Sequence, residues 1–188
     1  MRPYPGFVGP SYTSQSKIAC DDRAVNLIPA KIESGTGPAA YVYDPAPGFS
    51  SFADTGVTVG RGAFTLNGVS YAVFDGSLFQ LPIFSGGTPT LLATGLNNPD
   101  DSPATIAGNG DGGHQLMITS GSALYVFDVL TNTLTLITGV TATFVVFSDG
   151  YFIALDPNRS EFRLSGLEDG STWDPLDVVQ RNDLADKW

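Results

Sequence analysis

The sequence predicts an all-β protein made of β-propeller blades: about three four-stranded antiparallel sheets in an incomplete ring, preceded by an extended N-terminal arm. Three observations predict it. A four-strand pattern recurs with first strands beginning at positions 62, 103 and 141, a pitch near 40 residues. A repeat of about 40–45 residues carrying four short strands is the sequence form of a propeller blade. Large side chains recur at matching places: Phe64, Ile106 and Phe144 in the first strands, Tyr71, Leu116 and Phe152 in the second, Phe79, Tyr125 and Phe162 in the third. Sheets stacked face to face need apolar side chains on both faces. The pairs Asp75-Gly76, Ser120-Gly121 and Asp149-Gly150 punctuate the strand ends, with glycine expected to supply the positive φ of tight hairpins.

The elements follow in order. Residues 1–56 are rich in Pro, Gly and Ser and show little periodicity. They read as an extended arm with one or two short strands, such as AYVYD at 40–44. The blades occupy 57–179. The first, 62–96, reads GAFTLNG, VSYAVFDG, SLFQLPI and TPTLLATGL. The second, 103–140, reads PATIAGNGDGG, HQLMITS, ALYVFDV and NTLTLITGV. The third, 141–179, reads TATFVVFSDG, YFIALDPN, EFRLSGL and STWDPLDVV. Residues 180–188 form a polar tail. Three blades do not close a ring, so an open arc is expected to expose an apolar sheet face and unpaired strand edges.

Composition narrows the function. The 188 residues carry 19 acids against 9 bases, a net charge of −10. No basic stripe is present to neutralise phosphates, which speaks against attractive or sequence-specific nucleic-acid binding. The single Cys20 cannot form an intrachain disulfide, and the single His114 excludes a multi-histidine metal site within one chain. No apolar run approaches the ~18–20 residues of a membrane-spanning helix, and MRPYPGFVGP does not read as a signal peptide. Synthesis and assembly in the cytosol, without membrane insertion, are expected.

Candidate chemistry is sparse. GNGDGG at 108–113 lacks the Lys-Ser/Thr of a phosphate loop and the spaced carboxylates of a calcium loop, so it reads as a turn. Asp100, Asp101 and Asp111 are the nearest approach to a cation site. His114 has no Ser or Cys partner motif and reads as an edge residue. Cys20 precedes Asp21 and Asp22, which disfavour its thiolate. Glu168-Asp169 and Asp174/Asp177 offer paired carboxylates of the glycosidase kind, but in a Gly-rich turn that favours solvated loop residues. No catalytic residue, cofactor site or metal site is assigned, and the chain is not expected to be an enzyme. Trp173 and Pro175 are expected inside a blade edge.

Two stretches go further, together with the ending RNDLADKW at 181–188. The first carries Val25, Asn26, Leu27, Pro29, Glu33, Ser34, Gly35, Thr36 and Gly37, followed by Pro47 and Gly48. The second carries Asp149, Gly150, Tyr151 and Phe152, then Phe162, Ser165, Leu167, Asp169, Gly170, Trp173, Asp174, Leu176 and Asp177. In this order, around blade repeats, they resemble the packaged-DNA stabilisation proteins, the tail-hub or tail accessory components of short-tailed bacteriophages. Ile28 stands where that family has a tyrosine. The resemblance spans nearly the whole chain and fits its N-terminal part. Family members are considerably longer, so either this chain is a piece of a longer product or a partner supplies further blades.

The resemblance implies a structural virion protein of the tail or neck hub. Such a protein assembles as a ring of its own copies below the portal and adaptor, closes the DNA exit channel, and helps hold a tail needle or tail fibres. Its location is the virion, and the host cytoplasm during assembly. The acidic balance suits a channel element that holds DNA back without gripping it. The Pro/Gly-rich arm, with Ile18, Val25, Leu27 and Ile28 as anchors, suits a strap onto a neighbour. The other classes to weigh are a carbohydrate- or receptor-binding, lectin-like propeller and a hydrolytic one. The aromatics recur within strands, which is a core pattern, and the first strands carry almost no acids.

Overall fold

The computed structural model describes residues 12–13, 21–22, 26–31, 41–156 and 161–180. The chain divides into two compact units, Met1–Ser50 and Ser51–Trp188. The first holds β1 (Tyr12–Thr13), β2 (Asp21–Asp22), β3 (Leu27–Lys31) and β4 (Tyr41–Pro45). These pair as two antiparallel ribbons, β1 with β2 and β3 with β4. The strand expected at 40–44 is therefore β4. Pro29 cannot donate a ladder bond, which suits a two-stranded ribbon.

The second unit is three successive four-stranded antiparallel meanders. The first sheet is β5 (Gly60–Leu66), β6 (Val69–Phe74), β7 (Ser77–Gln80) and β8 (Thr90–Thr94). The second is β9 (Thr105–Gly108), β10 (Gln115–Ser120), β11 (Ala123–Asp128) and β12 (Thr133–Thr141). The third is β13 (Phe144–Ser148), β14 (Tyr151–Asp156), β15 (Glu161–Leu164) and β16 (Val178–Gln180). Each sheet runs in chain order from its first strand to its fourth. The first strands of consecutive sheets lie beside one another, β5 by β9 and β9 by β13. This is the blade arrangement of a propeller, here as an arc of three.

Side-chain alternation fixes what each sheet touches. Call the face toward the next sheet in the chain forward, and the other rear. The first sheet's forward side chains include Leu66, Tyr71, Val73 and Leu78. They pack against Leu116, Ile118, Tyr125 and Phe127 on the second sheet's rear. The second sheet's forward set, Ala107, Met117, Leu124 and Val126, packs against Val145, Phe152 and Ala154 on the third sheet's rear. Strand β10 is covered on both sides, and all six of its residues are buried. Each fully buried large side chain contributes roughly 1.5–3 kcal/mol.

The structure corrects the residue matching. Phe64 and Phe144 face forward, whereas Ile106, paired with Ile118, faces the rear. Tyr71 faces forward, but Leu116 and Phe152 face the rear. Phe79, paired with Ala72, and Tyr125 face the rear, while Phe162, paired with Leu155, faces forward. Both faces of a sandwiched strand are apolar, so a one-residue shift leaves the pattern unchanged while reversing every side chain.

Three local expectations also change. STWDP is loop, and the last strand is only Val178–Gln180. Pro175 is exposed, whereas Trp173 packs against the second core. At Asp75-Gly76 the aspartate takes the positive φ, at 47°, and the glycine does not. Gly76 is needed for closeness instead: a Cβ there would sit 2.9 Å from the Leu96 carbonyl oxygen.

A polar seam joins the first two sheets. Arg61 lies in the bulge of β5 between Gly60 and Gly62 and is 5% exposed. Its Nε donates to the Ser102 carbonyl at 2.7 Å, and its Nη1 to the Asp75 carbonyl and the Ser120 hydroxyl, both at 2.8 Å. Between the second and third sheets, the Thr105 hydroxyl meets that of Thr119 at 2.6 Å and accepts the Val145 N–H at 3.1 Å.

Candidate assembly site on the third sheet

The second motif stretch forms a latch between the second and third sheets. Asp149 and Gly150, with φ of 50° and 84°, make the tight β13–β14 turn. Gly150 accepts the Glu168 N–H at 2.6 Å, which folds the 165–174 loop back over the turn. Phe152 is fully buried and packs at a tilt against Phe147, with ring centroids 5.0 Å apart. Its N–H donates to the Ser165 hydroxyl at 2.9 Å. Gly170 is buried against Met117 and Phe152, where an added Cβ would have to displace the Met117 methyl. Trp173 closes the loop by donating Nε1–H to the Gly170 carbonyl at 2.8 Å.

Gln115, at the start of β10, is the other half of the latch. Its Oε1 accepts the Gly170 N–H at 2.7 Å and its Nε2 donates to Asp169 Oδ1 at 3.1 Å. Asn109 adds a bond to the Glu168 carbonyl at 3.2 Å. Burial works to raise the Asp169 carboxyl. Hydrogen bonds from the Ser171 hydroxyl and amide, Gln115 and Thr172 outweigh it and hold the group below the usual carboxylate range. Asp174 caps its own turn, accepting the Leu176 N–H at 2.9 Å. Thus Asp149, Gly150, Phe152, Trp173 and Asp174 have structural work within the sheet.

Tyr151 differs. It projects forward and is 37% exposed. Register places Val146, Ile153 and Leu164 across one another on the same face. Phe144 and Val179 flank them, at 47% and 49% exposure. The equivalent row of the second sheet, Ala107–Met117–Val126, is buried under the third sheet. The forward row of the third sheet carries no charge, because Asp156, Glu161 and Arg163 alternate to the rear. Phe144, Val146 and Phe147 also line a groove of about 460 Å³ that runs along β9 and β13.

Of the earlier motif stretch, the described residues show Asn26 at φ 57°, its carbonyl accepting the Ala46 N–H at 2.9 Å. Leu27 is 42% exposed, and Pro29 lies opposite Tyr43. Val25, Glu33, Ser34, Gly35, Thr36 and Gly37 lie outside the described residues, as do Cys20 and Trp188.

The other candidates do not converge. Among the described residues no group of three His, Cys, Asp or Glu side chains comes together to hold a metal. Asp100 and Asp101 are tied into their own turn with Asn98 and Ser102. The His114 side chain lies 3.6 Å from Asp128 and is 44% exposed. A cavity of about 440 Å³ beside Thr105, Thr119, Ser120 and Thr143 has hydroxyls but no aromatic platform for a sugar ring. Sequence reasoning missed Arg61, Gln115 and the forward row. A lone arginine between glycines in an apolar strand was the only available signal for the first.

No protein-family model matches the chain, and no curated protein is similar to it. The fold is similar to a chain in the crystal structure of the mitotic checkpoint complex, at 11% identity and a TM-score of 0.46. The match covers 90% of this chain and spans about half, 48%, of that one.

Proposed function

We propose that the chain is a structural, non-enzymatic assembly component, and that its setting is the tail hub of a short-tailed phage, below the portal and adaptor. The charge-free forward face of the third sheet, on which Phe144, Val146, Tyr151 and Val179 are exposed, carries the assembly reading. Contiguous apolar faces mark sites of interaction with proteins, membranes or ligands. The phage setting rests on the resemblance of the two motif stretches. The net charge of −10 supports a channel part that holds DNA back by plugging rather than gripping.

The test is reconstitution. DNA-filled heads lacking their hub, from the phage that encodes the chain, are incubated with it and challenged with nuclease. Protection of the packaged DNA, with no DNA retention by the isolated chain at physiological salt, is expected. Heads that neither capture the chain nor gain protection would overturn the hub reading. Tight DNA binding by the chain alone would overturn the plugging mechanism.

A further inference from the structure

We propose that one end of the three-sheet unit is a docking surface for a basic protein partner, held by apolar loop tips. The proposal names the class of partner for the assembly role and rests on that reading. Each sheet passes from its third strand to its fourth through a loop: residues 81–89, 129–132 and 165–177. In a meander that loop lies at the same end as the turn between the first two strands. These ends coincide across the sheets. Asn67 in the β5–β6 turn donates to the Gly113 carbonyl in the β9–β10 loop at 2.8 Å, and Asn109 donates to the Glu168 carbonyl. Among the described residues of this unit, the five most exposed large apolar side chains all sit in the three loops. They are Ile83, Phe84, Leu130, Leu167 and Leu176, exposed between 64% and 86%, and the next is Leu91 at 53%. A groove of about 260 Å³ lined by Phe52, Leu81, Pro82 and Ile83 opens beside the first pair. Leu130 belongs to the second sheet, which is already packed on both faces, so its exposure does not depend on a further sheet.

Charge selects the partner. The same end carries Asp111, Asp128, Asp149, Glu168, Asp174 and Asp177, and among its described residues there is no lysine or arginine. Recurring exposed apolar groups suit a protein, a membrane or another copy of the chain. An anionic lipid surface and a second chain of net −10 are both repelled by these carboxylates. A protein surface with basic residues around apolar hollows matches both features. The tips supply apolar contact, and the carboxylates steer approach and fix partner choice. Salt screens that steering, so the contact weakens as salt rises.

The experiment follows the fluorescence anisotropy of a labelled lysine–leucine peptide on the full chain, beside capture of the chain by heads lacking their hub. The double variant Ile83→Ser/Phe84→Ser is expected to weaken peptide binding at least about tenfold. Leu91→Ser, on β8 and outside the loops, is expected to leave it unchanged. Exposed substitutions cost little stability, so both variants should melt within a few degrees of the parent. Raising salt from about 0.05 to 0.5 M, or acetylating the peptide's lysines, should also weaken binding. Four results would overturn the proposal: no peptide binding, equal binding by the loop variant, binding that strengthens with salt, or recruitment of the chain through these tips to phosphatidylcholine vesicles or to its own copies. Heads that capture the loop variant as well as the parent would refute this surface and leave the hub reading intact. Heads that capture neither, while the peptide still binds at the tips, would refute the hub reading alone.

Discussion

Replacing Gln115 with leucine isolates the latch between the second and third sheets. The substitution keeps the side-chain bulk and removes both polar atoms. The Gly170 N–H, now 2.7 Å from Gln115 Oε1, is left in a buried site without that acceptor. Stranding a buried amide costs about 1–3 kcal/mol. The bond to Asp169, 3.1 Å long, adds little because that carboxylate also faces solvent and has Ser171 as a partner. The sum is about 2 kcal/mol. For a unit of this size that lowers Tm by about 8 °C. Circular dichroism melts and urea titrations of the parent and Gln115→Leu read it. Amide exchange at Gly170 should accelerate more than exchange in β6, which is remote from the latch. A loss below about 0.5 kcal/mol, or uniform acceleration across all three sheets, would refute the latch as a local structural element.

Other substitutions and pH test the same packing. Gly170→Ala places a Cβ against Met117 Cε and 3.1 Å from the Phe152 ring, inside a filled core. A loss of about 1–3 kcal/mol is expected, read by urea unfolding. Phe152→Ala empties a fully buried position and is expected to cost about 3–5 kcal/mol in the same assay. Asp169 has a lowered folded pKa, so its contribution is present above the unfolded value near 4 and disappears as pH falls through the lower folded value. Melts between about pH 7 and pH 2 should show this component lost only below about pH 4, and Asp169→Asn should flatten it.

The sequence made the blade count and the sheet sizes legible because the turns recur at fixed spacing. It did not make the facing of each strand legible. Residues such as Leu116, Met117, Ile118 and Thr119 are buried on alternate sides of β10, and an apolar run carries no sign of which side is which. The expected strand STWDPLDVV is loop up to Asp177 for a different reason. Its Trp173 and Leu176 are apolar like the residues of a buried strand, but Asp169, Ser171 and Asp174 bind their own backbone or near neighbours and fold it into a loop. The latch partners were invisible because Gln115 and Gly170 are 55 residues apart. The open forward face was legible only as a consequence of too few blades. Its residues Val146, Ile153 and Leu164 look like any buried strand until the register places them on the side away from the second sheet.

Carbene footprinting with mass spectrometry tests the exposed face most directly. At submicromolar concentration Phe144, Val146 and Val179 should label heavily, while the row Ala107, Met117 and Val126 of the second sheet stays protected. Equal protection of the two rows would show that the third sheet's forward face is already covered within the chain, and would contradict an open assembly surface there.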